Sequence, residues 1–105
     1  MATDNYNAHD WKVGDIIDGT FRYSAAIPEF YIVSRKSEKC VWLISLGKVS
    51  YARDCYGQEG QCMPNLAERG TKEKMHRITK GGYVRIDSYT TGKKWDGRPV
   101  EYYGD

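Results

Sequence analysis

Few side chains in this sequence could do covalent chemistry. The two histidines are His9 and His76. His9 lies in a polar leader, and His76 lies among Lys74 and Arg77 in a segment of strand character, where a solvent-facing sheet residue is the simplest reading. The three cysteines, Cys40, Cys55 and Cys62, form no Cys-x-x-Cys pair and have no histidine near them. The tight ligand pairs of a structural zinc site are therefore missing. An odd cysteine count without an export signal also argues against a disulfide framework. Cys40 reads as a small core residue beside Val41, and Cys55 and Cys62 as free loop thiols. A dyad of Cys55 or Cys62 with His76 would need that loop folded over a strand. Asp15 and Asp18, three apart on a bent strand, suit turn and edge duty better than acid–base work. No Gly-x-Ser-x-Gly, His-Glu-x-x-His or phosphate-cradling loop occurs. The residues predict no enzyme, no metal and no cofactor.

Binding chemistry is better represented. Arg69, Lys72, Lys74, Arg77, Lys80 and Arg85 face only Glu73, and Lys93, Lys94 and Arg98 follow. Tyr83, Tyr89 and Trp95 interleave with them. Basic grooves with aromatic platforms hold single strands with little sequence preference. Tyr and Arg together also dominate protein–protein hot spots. Alternation places Val84 and Ile86 inward and Tyr83, Arg85, Asp87 and Tyr89 on the opposite face. Gly81-Gly82, a tight turn with φ > 0 tolerated at both glycines, folds the segment 74–79 back beside them. The candidate binding surface is thus Tyr83, Arg85 and Tyr89, with Arg77 and Lys74 on the neighbouring strand. The competing reading is a Tyr-rich sheet half-covered by its own tail. The charge distribution is uneven: residues 1–34 carry a net −3, residues 35–100 a net +7 and the last five −2. Such asymmetry orients an encounter with a charged partner or reflects complementarity between paired strands.

The elements that must hold these residues are strands. Seven Ile and six Val stand against three Leu, with nine Tyr and eleven Gly, a β-rich composition. At 105 residues the chain fits one domain with a thin core. Residues 1–10 read as a flexible leader and 11–105 as a single small β domain. Lys12 to Ile17 is a turn entering a strand, Gly19 a bend within it, and Phe30 to Val33 with Cys40 to Leu46 a hairpin. In the second hairpin strand both faces are apolar, which predicts Trp42 and Ile44 in the core. From about 52 to 73 the pattern fails and predicts a long loop, with one helical turn at Asn65–Arg69. Trp95-Asp96-Gly97 predicts a structural clasp, with Trp95 on the sheet and Pro99-Val100 along an edge. The fold expected is all-β, or β-rich with one short helical turn: a small antiparallel barrel or rolled sheet of SH3-like or OB-like type with five to six strands. No apolar run is long enough to span a membrane.

Five stretches resemble a group of small, mostly uncharacterised bacteriophage and mobile-element proteins. They are Val13-Gly14-Asp15-Ile16, Phe30-Tyr31-x-Val33, Val41-Trp42-Leu43, Tyr83-Val84-Arg85-Ile86-x-Ser88-Tyr89 and Trp95-Asp96-Gly97-x-Pro99. The last is the most specific. Ser24-Ala25-Ala26-Ile27-Pro28 departs from the polar Asp-Gln-Thr-Asn-like stretch of that group, so any function residing there does not carry over. The resemblance implies a phage or mobile-element protein in the cytoplasm of a bacterial host. Small phage proteins without catalytic motifs are often inhibitors of host machinery, anti-CRISPR proteins among them. The expected partner is then a host protein or ribonucleoprotein complex, above all a nucleic-acid-guided nuclease whose DNA or RNA surface is blocked. Direct binding of DNA or RNA is the alternative.

Overall fold

Apolar side chains on both faces of Cys40–Leu46 require cover on two sides, and the fold supplies it with two cores. The structure, a computed structural model, describes residues 11–22, 26–52, 59–79, 81–87 and 90–103. Among the described residues there is no helix. The strands are β1 (Ile16–Asp18), β2 (Phe21–Arg22), β3 (Ala26–Ile27), β4 (Phe30–Lys36), β5 (Cys40–Ala52), β6 (Glu59–Arg69), β7 (Lys74–Arg77), β8 (Val84–Arg85), β9 (Thr91–Lys94) and β10 (Val100–Tyr103). The pairing is antiparallel along the path β2-β3-β10-β6-β5-β4-β1-β9-β8, with β7 added to β5. β4 takes one edge of β5; on the other, Cys40–Leu43 pairs with β7 and Leu46–Ala52 with β6.

The first core gathers Trp11, Ile17, Val33, Val41, Leu43, Ile78 and Val84, with Tyr31 and Ile86 packed against it. Strands β5, β4, β1, β9, β8 and β7 run round it. The ladder does not close, because β7 and β8 are joined by one bridge, Ile78 to Val84, backed by the Thr79 N–H donating to the Tyr83 carbonyl at 2.7 Å. Gly92 faces inward, where a Cβ would collide with Ile17 Cγ2. Trp11 fills one end of this ring, and its Nε1–H donates to the Gly82 carbonyl at 2.7 Å. The second core lies on the other face of β4 and β5. It joins Phe30, Ile32, Leu46, Cys62 and Val100, with Ile16, Ile44, Trp95 and Tyr102 against them. Trp95 meets Phe30 edge-on, with centroids 6.2 Å apart. Its Nε1–H donates to the Arg98 carbonyl at 2.7 Å, the Arg98 N–H donates to Asp96 Oδ1 at 2.9 Å, and Gly97 takes a φ of +88° in the turn between.

The all-β, antiparallel expectation agrees with this architecture, but the details differ. Ten strands form instead of five or six, because the bend at Gly19 sets Phe21–Arg22 apart from β1 as a strand of its own, and Ala26–Ile27 and Thr91–Lys94 pair without any apolar alternation to announce them. The loop expected at about 52–73 is mostly strand: β6 occupies Glu59–Arg69, including the expected helical turn at Asn65–Arg69. The 13-residue β5 offers an edge that backbone bonding fills. Pro64 lies past the last residue paired with β10, where one edge is open, a setting in which strands tolerate proline. Trp42 is half-buried instead of central, and its neighbours Val41 and Leu43 supply the core; Ile44 packs at the margin of the second core. Val100–Tyr103 sits between β3 and β6 instead of on an edge. At the Gly81-Gly82 turn only Gly82 has a positive φ, at +87°. Cys40 is half-buried and Cys62 is a core residue, not a loop thiol. The leader 1–10, His9 and Cys55 lie outside the described residues.

Candidate functional site

β7 and β8 meet at the Ile78–Val84 bridge, and alternation divides their side chains between the first core and the outside. His76, Ile78 and Val84 are buried, while Met75, Arg77, Tyr83 and Arg85 are exposed. Continuing the bridge register places Arg77 across from Arg85, in agreement with His76 Nδ1 at 3.1 Å from the Arg85 carbonyl. β9 carries the outer face onward through Arg85 opposite Thr91, and β1 through Lys93 opposite Asp18. A hollow of about 130 Å³ opens between Asp18, Thr20, Tyr83, Thr91 and Lys93. It shares Asp18 and Lys93 with a groove of about 370 Å³ that continues along Arg98, Pro99 and Tyr103.

The charges on this face are not balanced. Among the described residues, the side chains of Arg77, Arg85, Lys93 and Arg98 have no carboxylate partner. The nearby acids are engaged within the protein. Asp18 Oδ1 accepts the Thr20 N–H at 3.0 Å and also its hydroxyl, Asp96 holds the Arg98 N–H, and Glu101 is engaged as well. Lys94, in contrast, is tied to Asp15 at 3.6 Å and lies over the Trp11 ring. Arg77 and Arg85 lie just beyond the single Ile78–Val84 bridge and are not a ladder pair, but like charges side by side on one face repel. An Arg–Arg pair with no counter-ion is thus a cost that a bound anion would remove.

The chain matches no family model, no curated protein and no solved structure.

Three of the five residues expected on the binding surface, Tyr83, Arg85 and Arg77, share this outer face. Lys74 does not: it is one position off the phase of Arg77 and lines a different hollow, with His76 and Tyr31. Tyr89 lies outside the described residues. Trp42, expected in the core, extends the outer face beside Met75, its cross-strand partner, which is 56% exposed. The Arg35 guanidinium stacks 4.4 Å from the Trp42 ring centroid. Trp95, Asp96 and Gly97 form the turn described above, and Asp96 also lines the larger groove. His76, read as solvent-facing, is buried. Burial holds its imidazole below the usual histidine range, opposed by the bond to the Arg85 carbonyl and helped by Lys74. Cys62 lies in the second core and His76 lines the first, so they form no dyad. Among the described residues no cluster of three or more His, Cys, Asp or Glu could hold a metal, and no helix is long and apolar enough to cross a membrane.

Sequence reasoning missed Asp18, Thr20 and Thr91 as walls of the site, and it named Lys93 and Arg98 only as members of a basic run. Their common signal would have been the pairing of β1 with β9, two short strands of which the second, Thr-Gly-Lys-Lys, has no apolar alternation to mark it.

Proposed function

We propose that the protein is a non-enzymatic binding protein whose outer β7–β8 face engages nucleic acid. The observation that supports this most is the Arg77–Arg85 pair, uncompensated by any carboxylate among the described residues, with Tyr83 beside it. Guanidinium groups suit phosphate oxygens, and a Tyr that is 37% exposed offers a ring for a base to stack on. The strands that surround the first core fit a small rolled sheet of the OB-like or SH3-like type, which presents such faces to its ligands. The test is a fluorescence anisotropy titration of a labelled 20-nucleotide single strand over a salt series. Four contacting cations predict a slope of log affinity against log salt of about −2.8. No binding at low salt overturns the reading.

A second reading has the same face on a protein complex, as a phage-type inhibitor of a nucleic-acid-guided host nuclease in the bacterial cytoplasm. It is favoured by Trp42, stacked under the Glu73-paired Arg35, and its exposed neighbour Met75, which continue the outer face beyond Arg77 as an apolar patch. Binding to a nuclease–guide complex without any shift of the free oligonucleotide would select this reading.

A further inference from the structure

The ring of strands round the first core has two ends, and only one is filled by Trp11. At the other a hollow of about 320 Å³ opens, within the size range of small-molecule sites. Leu43 and Ile86 give it apolar walls, and the rings of Tyr31 and His76 stand with centroids 6.4 Å apart and tilted by 50°. Lys72, Lys74, Ser45 and Asp87 complete the lining. Among the described residues neither lysine has a carboxylate partner. The acid between them in sequence is turned away: Glu73 accepts the Ser34 hydroxyl at 2.6 Å and the Arg35 Nε–H at 3.2 Å. That leaves two ammonium groups without a carboxylate among the described residues, an aromatic and apolar interior, and the carboxylate of Asp87, itself already engaged, in a single cavity. Ammonium groups act as point charges for phosphate. Aromatic and aliphatic walls accept a base, and a carboxylate accepts hydrogen bonds from an exocyclic amine.

We propose that this hollow binds a nucleotide bearing a terminal phosphate, with the phosphate at Lys72 and Lys74, the base against Tyr31 and Ile86, and its amino group toward Asp87. The outer-face reading is not needed for this site, which lies inside the ring and uses none of Arg77, Arg85, Lys93 and Arg98. The ligand's chemistry is shared by a free mononucleotide and by the phosphorylated end of a strand.

The experiment is an NMR titration of the full chain that follows the His76 ring protons, with GMP, AMP, guanosine, inorganic phosphate and a tetranucleotide with and without a 5′-phosphate. The expected result is a saturable His76 shift with GMP or AMP. It should weaken at least about tenfold when the phosphate is absent, and equally in Lys72→Ala/Lys74→Ala, since each tenfold corresponds to one strong charged contact. Arg77→Ala/Arg85→Ala should leave mononucleotide binding within twofold. A phosphorylated tetranucleotide binding more tightly than GMP would identify the source as a strand end, and the reverse would identify a free nucleotide. The proposal is overturned if no phosphorylated probe shifts His76, if inorganic phosphate binds as tightly as GMP, or if the lysine variant, folded by its amide spectrum, binds unchanged.

Discussion

The outside of the strand ring is finished in two different ways. On the β4–β5 side, Phe30, Ile32 and Leu46 are buried under Cys62, Val100 and Trp95. On the β7–β8 side, Met75, Arg77, Tyr83 and Arg85 have no such cover. The chain invests β6, β10 and the Trp95 turn in the first side. The second carries Arg77 and Arg85 on either side of the Ile78–Val84 bridge, neither with a carboxylate partner among the described residues. Cover goes where side chains are apolar, and the charged half is the one we propose for a partner. On the function proposed above, the difference divides stability from recognition.

The largest effect should come from the ring that supports both sides. Trp11 is fully buried, so Trp11→Ala should cost roughly 3–5 kcal/mol. Urea denaturation would measure this, and a loss below about 1 kcal/mol would mean that the ring does not need its plug. Next comes the covered side. Trp95→Ala removes a half-buried ring that packs edge-on against Phe30, and should cost about 2–3 kcal/mol. At a temperature where the variant is folded, its oligonucleotide affinity should fall by no more than the share of one cation, Arg98, whose carbonyl Trp95 holds; a larger loss of binding would break the division between the two sides. The smallest effect is a pH dependence. Burial lowers the pKa of His76 in the folded protein. The fold thus favours neutral imidazole, and the associated stability is present above the unfolded value of about 6.5 and lost as pH falls from there through the lowered folded value. Denaturation midpoints between pH 7.5 and 5 should fall less steeply in His76→Gln than in the parent. Equal slopes would place His76 outside the linkage.

How far the sequence could be read follows from how local each feature is. The β4–β5 hairpin is legible because Phe30–Val33 and Cys40–Leu46 are dense in β-branched and aromatic residues. The outward phase of Tyr83 and Arg85 and the inward phase of Val84 are legible for the same reason, since alternation is a property of the strand itself. β6 was hidden because Gly60, Pro64 and Asn65 break the pattern, and its strand state comes from β5 beside it. Trp42 misled because both faces of β5 are apolar there, and only the placement of β6 and β10 decides which part of the outer face receives cover. The basic run groups Lys74 with Arg77 by charge, although three residues of strand place them on opposite faces. The groove walls Asp18 and Thr20 come from β1 and the bend after it, far in sequence from Lys93, and no local signal joins them.

The most direct test of the division is to measure stability and binding side by side in Arg77→Ala/Arg85→Ala. Removing the like-charge pair should leave the melting temperature unchanged or raise it by the equivalent of a few tenths of a kcal/mol. In the same protein, affinity for a single-stranded 20-mer at low salt should fall at least about tenfold, and the salt slope should shrink by about 1.4. A protein that melts lower and binds the oligonucleotide as tightly as the parent would show that the two arginines serve the fold, and would contradict the account.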